Sequence, residues 1–462
     1  MSDSDPRSFF DLVRLSEADP TAFRACGPPT RLGAIRAHYK NAWAAARARH
    51  DDGASGRSIV TELTASADTL VRGIVKFGLA EPDVAGIARD RIAVVALGGY
   101  GRGELNPYSD LDLCLLYTGE LDDPIRALND FLVPLFWDVG FKMGYVLQEA
   151  GEAVALAATE PEVLTSYGQA RLLLGDSQVF GILESGVAEI QRDQQENLLN
   201  FLRKRADVEN LALSARDLHH PEPDLKLNAG GLRDAHVSRW ILGLHWGRVT
   251  LDDLEKLGAL RAEDNEDFQE SLDFLWRVRN ELHFHTGKAT DGLTFTLQAH
   301  VAHAFGYGKG TQSAIDRLME DYYSSARSLQ RLLRISIGMA EEAVAKDDGT
   351  TASCHTRVRV VGGELRLGTK RSDWFSESPP RLMEVFWECG RRMVPLSHGA
   401  RERVKKNLDL VDEAFRQDEL VRRYFTALCS RPDNAGLALR EAAESGLLAR
   451  YIPEFSEIDG VI

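Results

Sequence analysis

The residues best able to do chemistry lie in the stretch Val94–Tyr117, VVALGGYGRGELNPYSDLDLCLLY. Asp110 and Asp112 stand two apart at the head of an apolar run. Alternate side chains of a strand project to one face, so the two carboxylates converge. Carboxylates on an otherwise buried strand are costly to desolvate unless a cation compensates them. A divalent metal carrying a phosphate chain meets that need.

Between the two apolar runs the chain places Gly98, Gly99, Gly101 and Gly103 within six positions. Their spacing does not fit a dinucleotide fingerprint, and a strand follows where that motif needs a helix. No GxxxxGK[ST] loop occurs, and Gly308-Lys309-Gly310 lacks both the first glycine and the hydroxyl. What fits is a glycine-lined phosphate site leading into a metal-binding Asp-x-Asp strand. Glycine lets backbone N–H groups approach phosphate oxygens, and Arg102 adds positive charge. A hairpin with surface aspartates would not call for so many glycines beside two carboxylates.

Several elements must hold this stretch in place. Residues before about 90 read as helices, with Leu32–Arg49 and Ile59–Phe77 at helical spacing and a break at Gly53–Gly56. After the two strands, Ile125–Val139 predicts a helix against the sheet and Phe141–Leu147 a third strand. Glu160–Leu174 predicts a further helix, stopped by Gly175-Asp176. From about 185 to 345 the pattern is helical, including Ala235–Trp246, Asp267–His285 and Ala314–Met339. One Pro/Gly-rich loop, Pro221–Asp234, interrupts it. Residues 340–356 form a polar linker, Val358–Leu367 a β-hairpin, and helical segments continue to Ala449.

Length and composition set the outer bounds. A chain of 462 residues exceeds one ordinary core and implies several domains. The net charge of -15 leaves no basic surplus for general nucleic-acid binding. The five cysteines form no CxxC pair, which fits reduced thiols in a cytoplasmic protein. The acidic N-terminus, MSDSDPRSFFDLVRL, does not resemble a signal peptide, and no apolar run is long enough for a membrane helix. His219-His220, His236 and His245 fall in the helical region, and His283 and His285 lie two apart on one helix. They read as packing or surface residues rather than ligands.

On these residues the sequence resembles a known family. Gly98-Gly99, a gap, then Asp110-Leu111-Asp112 is similar to the signature of the polymerase-β-type nucleotidyltransferase superfamily. The longer GGYGRGELNPYSDLDL resembles the nucleotidyltransferase domain of the bifunctional uridylyltransferase/uridylyl-removing enzymes that modify the PII nitrogen-signalling protein. Lys226-x-x-x-Gly230-Gly231-Leu232-Arg233-Asp234 resembles that family's second glycine loop. Phe274–Arg279, Phe305-Gly306-Tyr307 and Arg450–Phe455 extend the likeness to the end of the chain.

The resemblance implies an α+β fold: a small mixed-sheet nucleotidyltransferase domain with a larger, mainly helical domain. The expected parts are an N-terminal helical segment (1–75), the nucleotidyltransferase domain (76–184), an associated helical domain (185–345), and a β-hairpin plus helical region (346–462). The family continues into an HD phosphohydrolase domain and ligand-sensing ACT domains, which lie outside this sequence. Uridylyl removal and glutamine sensing are therefore not expected of this polypeptide.

The implied reaction moves UMP from UTP to a tyrosine hydroxyl of PII, with Mg2+ held by Asp110 and Asp112. Gly98, Gly99, Arg102 and Ser109 would cradle phosphate oxygens. Lys226, Gly230, Gly231, Arg233 and Asp234 would reach the nucleotide from the helical side, with Asp234 as an N-cap or a helper of the metal site. One strand departs from the pattern: Gly144–Glu149 (GYVLQE) stands where the family carries Gly-His-Ser-Val-Arg-Thr. No clear third carboxylate follows from it, Glu149 being nearest. Two alternatives stand beside uridylyl transfer: a catalytically impaired nucleotide-binding regulator, and adenylyl transfer to glutamine synthetase or another protein.

Overall fold

The computed structural model describes residues 8–84, 86–205, 220–247, 250–257, 260–308, 312–344, 358–361, 363–368, 373–430 and 432–454. The chain divides into two compact units, Met1–Leu333 and Arg334–Ile462.

In the first unit a four-stranded sheet carries the Asp-x-Asp run. Its strands are β1 (Ile92–Ala96), β2 (Leu111–Tyr117), β3 (Met143–Glu149) and β4 (Arg171–Gly175), in the order β3-β2-β1-β4. β1 pairs antiparallel with both β2 and β4, while β2 and β3 run parallel. β1 is buried throughout, as its uninterrupted IAVVA run requires of a central strand. The expected α+β architecture is observed.

Ile92, Val94, Ala96, Leu111, Leu113 and Leu115 point into a core formed with two helices. The first, Gly56–Leu79, contributes Leu63, Leu70, Ile74 and Phe77 to that core. The second, Asp123–Val139, contributes Ile125, Leu128, Leu132 and Phe136. Period 2 in the strands and period 3.6 in the helices thus meet on one interface. The helix termini follow from the sequence. Ser55 accepts from Ser58 N at one N-cap and Asp122 from Ile125 N at another, and Gly140 closes the second helix with φ +99°. By the same alternation Asp112 faces away from this core. Ala150–Thr159 and Ser177–Asp193 follow β3 and β4.

Two sequence expectations change. The segment Glu160–Leu174 is not one helix. Pro161–Tyr167 is helical, and Arg171–Gly175 is the edge strand β4. The Leu172–Leu174 run is too short for periodicity to separate strand from helix, and its pairing with β1 decides it. β2 begins at Leu111, so Asp110 stands just ahead of the strand and is exposed.

Further along the first unit run the helices Gln195–Arg205, Leu232–Trp246, Ala262–Thr286 and Phe295–Ala304. The boundary between units falls within the helix Gln312–Val344. In the second unit the hairpin β5 (Val358–Val361) and β6 (Glu364–Leu367) packs with the helices Arg381–Arg392 and His398–Lys405. Trp374, Phe375, Leu382 and Phe386 lie in that unit's core. Of the segment Arg450–Phe455, Phe455 lies outside the described residues, as does His219. Among the described residues no helix is long and apolar enough to cross a membrane.

Candidate active site

The turn after β1 builds one wall of the site. Leu97 N–H donates to the Asp112 carbonyl at 2.8 Å, so the turn leaves β1 opposite the aspartate pair. Gly98–Gly101 then makes a single helical turn, entered with Gly98 at φ +55°. A residue other than glycine would be strained there. It would also collide, because a Cβ on Gly98 would lie 2.5 Å from Asp112 Oδ2. A Cβ on Gly144, the residue that pairs with Asp112 across β2 and β3, would lie 2.7 Å from Asp112 Oδ1. The Asp112 carboxylate therefore occupies a slot between two bare glycines.

A second turn aims Asp110. Tyr108 has φ +58°, uncommon for a non-glycine residue, and Ser109 N–H donates to the Asn106 carbonyl at 3.2 Å. The helix Ala262–Thr286 holds this turn. Asn106 Nδ2 donates to Asn280 Oδ1 at 2.7 Å, Arg279 donates to Asn106 Oδ1 at 2.5 Å, and His283 Nδ1 donates to the Pro107 carbonyl. Arg279 itself is fixed by a two-pronged pair with Asp291, at 2.7 and 3.3 Å. The half-buried Asp291 carboxyl is held below its ordinary range, where His283 and Arg279 outweigh the effect of burial.

These turns open onto a cavity of about 320 Å3. Gly98, Gly99, Ser109, Asp110 and Asp112 are among the residues that line it. Arg102, Arg205, Lys226, Arg233 and Arg279 also line it. Neither aspartate side chain has a hydrogen bond or ion pair among the described residues, and Ser109 Oγ is buried without a partner. Burial pushes the Asp112 carboxyl above its ordinary value and Asp110 pushes it further, against Arg102 and Lys226. On the cationic side, burial and then Arg279 push the Lys226 ammonium down. Burial and then Arg205 push Arg233 down. Anionic and cationic groups that each crowd their own kind mark a place for a bridging ligand with both charges.

Arg102 is partly committed. Its Nε pairs with Glu104 at 2.8 Å, and Glu104 also receives Arg239 at 2.6 Å and His236 at 3.2 Å. Burial alone would raise the Glu104 carboxyl, but Arg239, Arg102 and His236 hold it well below its usual range. Burial, then Arg102, lowers the His236 imidazole to about 3, so it packs here as a neutral ring.

The second glycine loop divides its work. Lys226 and Arg233 line the cavity, whereas Gly230, Gly231 and Asp234 do not. Gly230 has φ +73°, and a Cβ on it would lie 2.1 Å from the Ala326 carbonyl. Its glycine is thus required by close packing on the helix Gln312–Val344. Asp234 Oδ2 accepts the Gly230 N–H at 2.7 Å. It is not the N-cap of its helix, a position held by Gly231. Burial pushes the Asp234 carboxyl up to about 7, against the Gly230 N–H. The N–H groups of Leu232 and Arg233 donate to the Leu225 and Lys226 carbonyls at 2.9 Å, so these amides are already used.

The register of β3 settles where Glu149 lies. It pairs with Tyr117 at the far end of β2 from Asp112, and its Oε2 caps the next helix through Glu152 N at 2.9 Å. At about 3.3 Å per residue, the five positions between the pairs put it some 16 Å along the strand. Beside Asp112 the strand offers Gly144 and the exposed Val146 instead. Among the described residues no cluster of three or more His, Cys, Asp or Glu suits a metal ion.

Sequence reasoning did not single out Arg205, Arg279, Glu162 or Trp240 as cavity-lining residues. Arg279 stood within the Phe274–Arg279 segment, a signal that was available. Arg205 ends an Arg-Lys-Arg run that reads as a solvated helix face, and only the fold turns it inward.

Comparison with known proteins agrees with this geometry. Residues 84–152 match the nucleotidyltransferase domain family, residues 200–337 the GlnD PII-uridylyltransferase family, and residues 362–451 the uridylyltransferase GlnD third domain. A bifunctional uridylyltransferase/uridylyl-removing enzyme of Nitrosococcus oceani is 31% identical over 380 residues, covering 80% of this chain and 42% of that protein. The chain thus spans less than half the length of that relative. With its nucleotidyltransferase domain followed in order by two uridylyltransferase domains, the chain belongs to the GlnD uridylyltransferase family.

Proposed function

We propose that this chain transfers UMP from UTP to a tyrosine hydroxyl of a PII-type signalling protein, releasing pyrophosphate, and does so in the cytoplasm. The observation that carries the reading is the single cavity in which Asp110 and Asp112 occur with Arg102, Arg205, Lys226, Arg233 and Arg279.

The residues fit a divalent cation. Asp112 is pushed up by burial and by Asp110, and neither carboxylate has a partner among the described residues, so a cation between them offsets both penalties. Asp110 and Asp112 would hold Mg2+, which supplies an activated hydroxyl and charge neutralisation on the phosphates. The chain's own groups do the rest. Lys226, Arg233 and Arg205 bind the triphosphate, and Arg279, locked by Asp291, gives that wall a fixed geometry. The opening N–H groups of the Gly98–Gly101 turn have no intrahelical acceptor and are available to phosphate oxygens. Ser109 Oγ, buried and unpartnered, adds one more donor. Gly98 and Gly144 keep the Asp112 carboxylate in line.

A second reading is favoured by one observation, the absence of a carboxylate on β3 beside Asp112. It makes the chain a nucleotide-binding regulator with little turnover. Asp110→Asn and Asp112→Asn separate the two readings. Under the transfer reading each drops turnover by at least about a thousandfold, as loss of a charge-stabilising ligand does. Unchanged turnover in either variant sinks the assignment.

A further inference from the structure

Arg102 and Glu104 close the first glycine turn as a buried ion pair, with side chains 9% and 8% exposed. Glu104 N–H donates to the Gly99 carbonyl at 2.9 Å, and Gly103, at φ +75°, folds the chain between the pair. Arg102 Nε then reaches Glu104 Oε2 at 2.8 Å. Glu104 also lines the candidate site, beside Arg205, Lys226 and Arg233. An anion in the wall of a phosphate site repels the ligand, so Glu104 does not serve affinity there.

A buried carboxylate is costly unless it is paired, and Glu104 is paired on both oxygens. Arg239 Nη1 donates to Oε1 at 2.6 Å, and His236 Nε2 stands 3.2 Å from Oε2. Arg239 and His236 lie three apart on the helix Leu232–Trp246, so both project from one face of it. That helix leaves the second glycine loop, which carries Lys226 and Arg233. One carboxylate thus fastens the turn of the nucleotidyltransferase domain to a helix of the domain that follows. It also fixes the Arg102 guanidinium. Nε is held by Glu104, Nη2 lies 3.3 Å from His236 Nε2, and Nη1 has no hydrogen-bond partner among the described residues. A planar guanidinium held at two nitrogens presents the third in a set direction.

We propose that Glu104 is a positioning residue that acts through Arg102, aiming its remaining nitrogen at the nucleotide's phosphates and holding the two glycine loops in register. The inference rests on the nucleotidyl-transfer reading above and adds to it a role for an anion inside the cationic wall. Charge that develops on the phosphates during transfer is met by Nη1 only when the guanidinium is aimed. The pair therefore contributes to turnover more than to binding. With the triphosphate held by Lys226, Arg233 and Arg205, loss of the Glu104 charge removes a repulsion and leaves binding intact.

The test is a double-mutant cycle on the full chain, with kcat from pyrophosphate release in the presence of Mg2+, UTP and PII, and Mg–UTP affinity from calorimetry. Glu104→Gln keeps the shape of the side chain and drops its charge. Its kcat falls about 30-fold, while Mg–UTP binds as tightly as to the wild type or up to about threefold more tightly. Arg102→Gln lowers kcat about a hundredfold. The double variant stays at about a hundredfold, far short of the product of the two single effects, because Glu104 has nothing left to aim. A carboxylate that only braces the fold would give losses that multiply and would weaken Mg–UTP. Multiplying losses, an Mg–UTP affinity lowered about tenfold or more in Glu104→Gln, or an unchanged kcat in that variant each overturns the proposal. Where Glu104→Gln does not melt cooperatively, Glu104→Asp takes its place, with a fall of about fivefold and the same non-additivity. A wild-type chain that binds no Mg–UTP, or binds it and releases no pyrophosphate, overturns the nucleotidyl-transfer reading and this inference with it. Multiplying losses in an active chain overturn the inference alone.

Discussion

Replacing Gly144 by alanine adds one methyl group beside Asp112, one of the two carboxylates proposed to hold the metal ion. The new Cβ would lie 2.7 Å from Asp112 Oδ1, where ordinary contact begins at 3.4 Å, so the carboxylate must yield by about 0.7 Å. On its other side stands Gly98, which carries no Cβ, so the carboxylate shifts or swings toward that glycine and away from its original position. Misplacement of a reacting group by about 1 Å costs about a hundredfold, so a shift of this size costs about 30- to 100-fold in kcat, or about 2–3 kcal/mol of barrier. Stability responds differently. Gly144 is not among the residues with positive φ, so alanine brings no backbone strain. What moves is the tip of a side chain, and the net change in folding free energy stays within about 1 kcal/mol. Pyrophosphate release gives kcat, and thermal melting followed by circular dichroism gives stability. An alanine variant that melts normally and turns over at the wild-type rate refutes the slot between the glycines as the device that positions Asp112.

Lys226→Ala combined with Arg233→Ala removes two charge-assisted contacts and weakens Mg–UTP binding about a hundredfold by calorimetry; unchanged affinity would assign both to loop packing alone. Glu149→Ala deletes a helix cap, lowers stability by about 1 kcal/mol and leaves transfer intact, whereas loss of transfer in a folded variant would make Glu149 a metal ligand after all. Asp234 has its carboxyl raised from 3.8 to about 7 in the folded chain, so the folded state holds a proton that the unfolded state has released between those values. Its contribution to stability is thus fully present below pH 3.8 and is lost as pH rises through about 7. In Asp234→Asn that part of the pH dependence disappears, as denaturant titrations at about pH 5 and about pH 8 would read; an unaltered profile contradicts the burial of a titrating carboxyl there.

The Asp-x-Asp run and its glycine turn were legible in the sequence because local geometry fixes their relation. Glycine marks the close approach to Asp112, and strand alternation places Asp112 alone, since Asp110 stands ahead of β2 and is aimed by the turn at Tyr108 and Ser109. The helices at Ile59–Phe77, Ile125–Val139 and Asp267–His285 were legible for a similar reason, their apolar spacing being long and regular. Leu172–Leu174 misled because three leucines carry no period, and only pairing with β1 makes them a strand. The cationic side of the cavity was half legible. Lys226 and Arg233 belong to a motif, but Arg205 and Arg279 reach the same cavity through helix packing that no local pattern encodes. Gly230 and Asp234 show the opposite failure. They look like ligand-binding residues in the sequence, yet one is shaped by the Ala326 carbonyl and the other holds the loop. Glu149 was close in sequence and remote in space, a distance that strand register alone reveals.

The most direct measurement of the central claim is intact mass spectrometry of a PII protein after incubation with this chain, Mg2+ and UTP. The expected result is a gain of one UMP on each PII subunit, one pyrophosphate released for each, and no gain with the Asp110→Asn chain. A chain that binds Mg–UTP yet leaves the mass of PII unchanged would contradict it.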